Sequence, residues 1–264
     1  MKSEQVKKVT AFIGSPRKQG TYGAVREFEK YLRSYGEIDF EYVFLKDYNL
    51  ERCKGCKLCF DKGEEYCSLK DDRDLLLDKL DNSDGVIFAT PNYAFNVTAL
   101  MKNFLDRIAF VLHRPRYFSK AFTAIVFQGI YGGESIVKYL ETIGERLGFH
   151  VAKGCCLTAL EPITEIEKKK IAQKINKASA RFYKKLMRHV LPTPSLSKLM
   201  IFRLFRTSYR TITDEKFRDY RYFREKGWFE SDYYYYVQLG FVKKMAGRFF
   251  DFLAQWIAKR KLRI

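Results

Sequence analysis

Four cysteines fall close together as Cys53, Cys56, Cys59 and Cys67, a C-x2-C-x2-C-x7-C pattern in a chain with six cysteines. Thiolates two residues apart can take three corners of a cubane, and a fourth nearby can close it. Zinc favours two separated pairs, so this spacing points to iron–sulfur chemistry before zinc. The competing reading is a set of thiols or a redox-active pair without a cluster. Cys155 and Cys156 lie in an apolar run and read as small core residues.

Three loops carry a second kind of chemistry. The segment Gly14-Ser15-Pro16-Arg17-Lys18-Gln19-Gly20-Thr21 combines glycines, hydroxyls and two cations ahead of a helical pattern. Main-chain N–H groups, hydroxyls and a helix N-terminus together suit phosphate oxygens. The Walker ending Gly-Lys-Ser/Thr and the G-x-G-x-x-G dinucleotide pattern are both absent. Pro91-Asn92-Tyr93-Ala94-Phe95-Asn96 offers a rigid turn, amide side chains and aromatic faces, which suit a flat heterocycle. Gln128-Gly129-Ile130-Tyr131-Gly132-Gly133 permits close backbone approach. His113, His150 and His189 show no ligand spacing, and no Ser–His–Asp or paired-carboxylate arrangement is visible.

The elements that must position these loops alternate over the first 160 residues. Apolar runs at 6–13, 38–45, 85–90, 122–127 and 150–157 read as strands. Helical spacing recurs at 22–34, 71–80, 97–112 and 134–147. This alternation predicts an α/β fold, a doubly wound five-stranded parallel sheet with helices on both faces. In such sheets ligands bind beyond the carboxyl ends of the strands, where the three loops fall.

The alternation stops near residue 160. Residues 163–190 read as one basic helix ended by Pro192 and Pro194, and the expected organisation is a domain over 1–190, with its Cys-rich loop at 52–68, and an extension over 191–264. Residues 1–160 hold 24 basic and 21 acidic side chains; residues 161–264 hold 25 and 10, so the charge of +18 is concentrated in the second part. That part should seek an anionic partner or surface. A mainly helical basic and aromatic extension is expected, because 18 of its 74 residues are aromatic and 242–257 has helical apolar spacing. Such aromatics most simply pack on the first domain or a second subunit. Cations beside apolar residues also suit a membrane surface. No nucleic-acid motif accompanies them, so no nucleic-acid partner is expected. With 47% hydrophobic residues the chain is too apolar for disorder. It contains no run long enough to span a bilayer and no signal-peptide core, and a cytoplasmic location, peripheral at the membrane if the extension docks there, is expected.

GSPRKQGT, CKGCKLCFDKGEEYCSLKDD and TPNYAFNVTALMKNFLDR, in that order over about residues 5–160, resemble the NADPH-dependent FMN reductase group of flavodoxin-like proteins, and within it the iron–sulfur flavoproteins. The resemblance implies a flavodoxin-like fold and an FMN-dependent oxidoreductase. Its electrons would pass from NAD(P)H to a quinone, flavin or protein acceptor. Ser15, Arg17, Gly20 and Thr21 would hold the phosphate, with Tyr22 contributing its main chain where the group usually has a small hydroxyl residue. Pro91, Asn92, Tyr93, Phe95 and Asn96 would line the isoalloxazine, and Gly129 would approach its other edge. Cys53, Cys56, Cys59 and Cys67 would carry a [4Fe–4S] cluster; the final seven-residue gap is long for the group, and related motifs persist without a cluster. Asp106-Arg107 matches the group's helix ending and reads as an ion pair. A homodimer is implied. An electron carrier between ferredoxin-like partners and a membrane-surface redox adaptor are the alternatives.

Overall fold

The computed structural model describes residues 6–160 and 162–262. They form two compact units, Met1–Lys54 with Leu69–His189, and Gly55–Ser68 with Val190–Ile264. The strands are β1 (Lys7–Ile13), β2 (Ile38–Phe44), β3 (Gly85–Pro91), β4 (Ala121–Gln128), β5 (His150–Val151) and β6 (Cys155–Thr158). The helices are α1 (Gly20–Arg33), α2 (Leu58–Asp61), α3 (Arg73–Asp81), α4 (Ala99–Arg107), α5 (Phe110–His113), α6 (Gly133–Leu147), α7 (Glu165–Leu186), α8 (Leu196–Ile212), α9 (Arg218–Glu225) and α10 (Phe241–Leu262). Helices α2 and α8–α10 belong to the second unit.

In the first unit the strand order is β2-β1-β3-β4-β5, with β6 also on β4 and every pairing parallel. Strand β1 shows why both faces are covered. Val9, Ala11 and Ile13 point to one side, into a core with Val25 and Phe28 of α1 and Ala178 and Phe182 of α7. Phe12 points to the other, where it stacks on Phe104 of α4 at 5.2 Å and meets Phe88 edge-on at 5.7 Å. This period-two division is intrinsic to a strand, and each fully buried Phe contributes about 2 kcal/mol of hydrophobic stabilisation. Helix α7 begins with a capping box: Thr164 Oγ1 accepts from Glu167 N, and Thr164 N donates to the Glu167 carboxylate at 2.8 Å.

Among the boundaries that differ from the sequence expectation, three have a visible physical cause. The strand read over 150–157 is split in two, because Gly154 N leaves the ladder to donate to Glu141 Oε1 at 2.7 Å. The helix read from 71 starts at Arg73, since Asp71 and Asp72 accept main-chain bonds from Glu51 and Asn49 (2.8 and 2.7 Å). The helix read over 97–112 starts at Ala99, behind an N-cap at Thr98, and breaks at Ile108 (φ −106°, ψ 12°) before α5.

The second unit has a core of its own aromatics. Phe202 meets Tyr233 and Tyr234 at 5.5 and 4.5 Å, Phe223 meets Trp228 at 4.9 Å, and Trp228 Nε1 donates to Tyr234 O at 2.9 Å. Arg221 of α9 donates to Lys62 O at 2.9 Å, tying the segment after α2 into this unit. Asp251 of α10 accepts from Arg203 (2.8 Å), Arg206 (2.6 Å) and Thr207 (2.8 Å), all on α8. Arg203 is buried and also pairs with half-exposed Asp232, so Asp251→Ala removes one carboxylate partner of Arg203 together with that of Arg206. The expected cost is about 2 kcal/mol, seen as a lower urea midpoint by tryptophan fluorescence, since both tryptophans, Trp228 and Trp256, lie in this unit. Among the described residues no helix is long and apolar enough to cross a membrane.

Candidate active site

Strand β1 delivers the chain to Gly14, whose N–H donates to Ala89 O (2.8 Å) and whose carbonyl accepts from Thr98 Oγ1 (2.6 Å). A Cβ at Gly14 would lie 2.8 Å from Met101 Cβ, so the close approach requires glycine. Ser15 is buried; its Oγ donates to Arg17 O at 2.8 Å and accepts from Arg17 N at 3.3 Å, which closes a tight loop. Arg17 and Lys18 are exposed, with Lys18 Nζ 4.6 Å from the Phe44 ring centre. Gly20 opens α1 against the Phe127 ring, and Thr21 is buried in the first turn. Among the described residues no side chain caps α1, and its first turn holds no acid. The partial positive charge of its N–H groups therefore acts unopposed on the loop. Tyr22 turns its ring to β2, 5.5 Å from Tyr42 and 5.3 Å from Phe44.

The loop after β3 is a tight turn in which Tyr93 and Asn96 exchange main-chain hydrogen bonds at 3.1 and 3.0 Å. Its two central residues, Ala94 (φ 49°) and Phe95 (φ 61°), both adopt the left-handed conformation. Turns of this shape normally use Asn-Gly or Gly-Gly, and the strain of non-glycine residues there concentrates at functional sites. It lifts exposed Tyr93 and Phe95 at the sheet edge. Phe95 leans over Gly132 and meets Tyr131 at 5.3 Å. Asn92 ties this loop to β4 and the loop beyond: its N–H donates to Phe127 O (2.8 Å), and Nδ2 donates to Tyr131 O (2.9 Å) and Gln128 Oε1 (3.3 Å). Among the described residues its Oδ1 is buried without a hydrogen-bond partner.

Two organisers are not among the residues expected from the sequence. Gln128 Oε1 also accepts from Gly133 N (2.6 Å), while Nε2 donates to Thr158 Oγ1 (2.9 Å), so one amide joins β4, β6 and the start of α6. Thr98 caps α4 and reaches Gly14. A hydroxyl residue directly before an apolar helical run is a capping signal that could have found Thr98; nothing local marks Gln128. Loops 14–21, 91–96 and 128–133 are thus stitched together at the carboxyl ends of β1, β3 and β4, and exposed Gly129 sits on the same edge.

Asp106 and Arg107 do not pair with each other. Helical neighbours one residue apart point in different directions: Asp106 binds Lys102, and buried Arg107 forms an ion pair with Asp71, whose side chain is buried. The cysteines fall differently again. Cys53 belongs to the first unit; Cys56, Cys59 and Cys67 belong to the second. Left-handed Gly55 (φ 65°) and Lys57 (φ 62°) wind the chain sharply before α2. Among the described residues no three His, Cys, Asp or Glu side chains gather where a metal could bind. Burial pushes the Cys155 thiol up to about 12 and the Cys156 thiol up to about 11, as suits core residues. Brief iodoacetamide treatment of the native protein, read by peptide mass mapping, should therefore label exposed Cys53 and Cys56 and spare Cys155 and Cys156.

A twisted parallel sheet in the order 2-1-3-4-5, with its loops gathered at the strand ends, defines a flavodoxin-like protein. Residues 7–159 match the NADPH-dependent FMN reductase family, and the chain belongs to that family of flavin-dependent oxidoreductases. It is 32% identical over 142 residues to an iron–sulfur flavoprotein of Archaeoglobus fulgidus, covering 53% of this chain and 69% of that one. A second iron–sulfur flavoprotein of that organism is 29% identical over 231 residues, covering 83% and 99%. The solved NAD(P)H:quinone oxidoreductase from Methanothermobacter marburgensis shares the fold, with TM-score 0.55, 16% identity and coverage of 70% and 99%.

Proposed function

We propose that the stitched loops at the carboxyl edge bind FMN and that the protein oxidises NAD(P)H, passing electrons to a quinone, another flavin or a redox protein. The observation that carries this is the joining of an uncapped helix N-terminus, a Ser15–Arg17 loop and a strained aromatic turn by Thr98 and Asn92. Bound FMN would supply hydride acceptance at its ring. Ser15, Arg17, Gly20, Thr21 and the main chain of Tyr22 hold the phosphate. Pro91, Tyr93, Phe95 and Asn96 line the ring. Asn92 lines the ring with them, its amide fixed by Tyr131 O and Gln128 Oε1, and Gly129 lets the backbone approach the opposite edge. Phe95 and Tyr131, exposed beside this edge, provide apolar faces for a nicotinamide or an aromatic acceptor.

A second reading rests on the Cys53/Cys56/Cys59/Cys67 spacing and on the iron–sulfur flavoproteins among the relatives. Four thiols match the donor set of a [4Fe–4S] cluster by type, although the described side chains are not gathered for one. In that reading the protein is an electron carrier between ferredoxin-like partners. Iron and acid-labile sulfide per FMN on anaerobically purified protein separate the two. About four of each per FMN favours the carrier; flavin without iron, with NAD(P)H-dependent quinone reduction, favours the reductase.

A further inference from the structure

Helix α10 carries two apolar faces. Gly247, Ala254 and Ala258 are buried on one of them, with Gly247 against the Arg203 guanidinium of α8. Phe241, Met245, Phe249, Phe252 and Trp256 are between 48% and 79% exposed. At 100° per residue these five fall within an arc of about 80° on the side opposite the small residues, over about 22 Å of helix. Lys244, Arg248, Lys259 and Arg260 are exposed along the same helix, and the Arg260 guanidinium lies 5.0 Å from the Trp256 ring centre. The only acid of α10, Asp251, is turned to Arg203, Arg206 and Thr207. The exposed side therefore presents large apolar groups and cations with no acid of its own.

We propose that this face of α10 docks on an anionic lipid surface. A helix of this kind lies in the interface plane with its aromatic side among the acyl chains, while long cationic side chains reach the headgroups. The charge argues for lipid over a second copy of the chain, because pairing two such faces would bring like charges together and neutralise none. The excess of 25 basic over 10 acidic residues in 161–264 adds longer-range attraction to the same kind of surface. The inference is independent of the redox reading.

The test is sedimentation of the full-length protein with vesicles of phosphatidylcholine alone or mixed with phosphatidylglycerol. Binding at least tenfold tighter to the anionic vesicles is expected, weakening with salt, with a blue shift of tryptophan emission from Trp256. Phe249→Ser/Phe252→Ser should lower binding tenfold or more. These side chains are exposed, so circular dichroism should show the variant folded. Lys244→Glu/Arg248→Glu should remove the preference for anionic vesicles. Absent or charge-indifferent binding by the unmodified protein would overturn the proposal. So would a dimer in sedimentation velocity that Phe249→Ser/Phe252→Ser dissolves, with no vesicle binding.

Discussion

Replacing Arg107 with methionine is expected to destabilise the first unit by about 3–5 kcal/mol, the usual result of leaving one buried partner of an ion pair uncompensated. Arg107 and Asp71 have side-chain exposures of 2% and 0%. Two guanidinium nitrogens grip the carboxylate, Nη2 at 2.8 Å from Oδ1, and Nη1 also donates to Glu51 O at 2.7 Å. Asn103 on the same helix donates to Leu50 O at 2.7 Å. Helix α4, whose N-cap Thr98 also holds the loop after β1, thus fixes the chain that leads to Cys53. Arg107→Lys keeps the charge but loses the fork, and should recover only part of the stability. The pair also makes stability pH-dependent. Burial pushes the Asp71 carboxyl up, but the hydrogen bond from Arg107, main-chain donors at Glu51 and Arg73 and the Arg107 charge outweigh it and hold the group below its ordinary value. Its contribution is therefore complete above the ordinary carboxylate range and fades as pH falls through the depressed value. Urea unfolding followed by circular dichroism checks both statements. A loss under about 1 kcal/mol for the methionine variant would contradict the role given to this buried pair.

Arg17→Ala combined with Thr21→Val is expected to weaken FMN binding by about a hundredfold while changing riboflavin binding less than about threefold. Hydrogen bonds to a charged phosphate are worth about 1.5 kcal/mol each or more, and two of them amount to roughly that factor. Riboflavin lacks the phosphate, so it reports only the ring site proposed at residues 91–96 and 128–133. Fluorescence titration of the flavin-free variant with each ligand makes the comparison. Equal losses for both flavins would show a general collapse of the site, and no loss for FMN would remove the phosphate from this loop.

The parallel sheet was legible in the sequence because its strands are buried on both faces and read as short apolar runs, as in Gly85-Val-Ile-Phe-Ala-Thr90. The loops were legible through residue type, glycine and hydroxyls after β1, proline and amides after β3. What could not be read depends on partners distant in sequence. Gly154 leaves the sheet because Glu141 attracts its N–H, and Asp71 misses the first turn of α3 because Arg107 holds it. The left-handed turn at Ala94 and Phe95 lacks the usual Asn-Gly signature, because tertiary packing around Phe95 and Asn92, rather than local preference, imposes it. The cysteine pattern gives donor type and spacing, while its segment folds with the C-terminal aromatics through long-range contacts such as Arg221 to Lys62.

The most direct test of the account is anaerobic titration of the FMN-loaded, full-length protein with NADPH and with NADH, following the oxidised-flavin absorbance. One equivalent of at least one nucleotide should bleach the flavin, and adding a quinone should restore it. A flavin that neither nucleotide reduces, but that a reduced ferredoxin-type donor bleaches at once, would contradict the reductase and leave the protein an electron carrier.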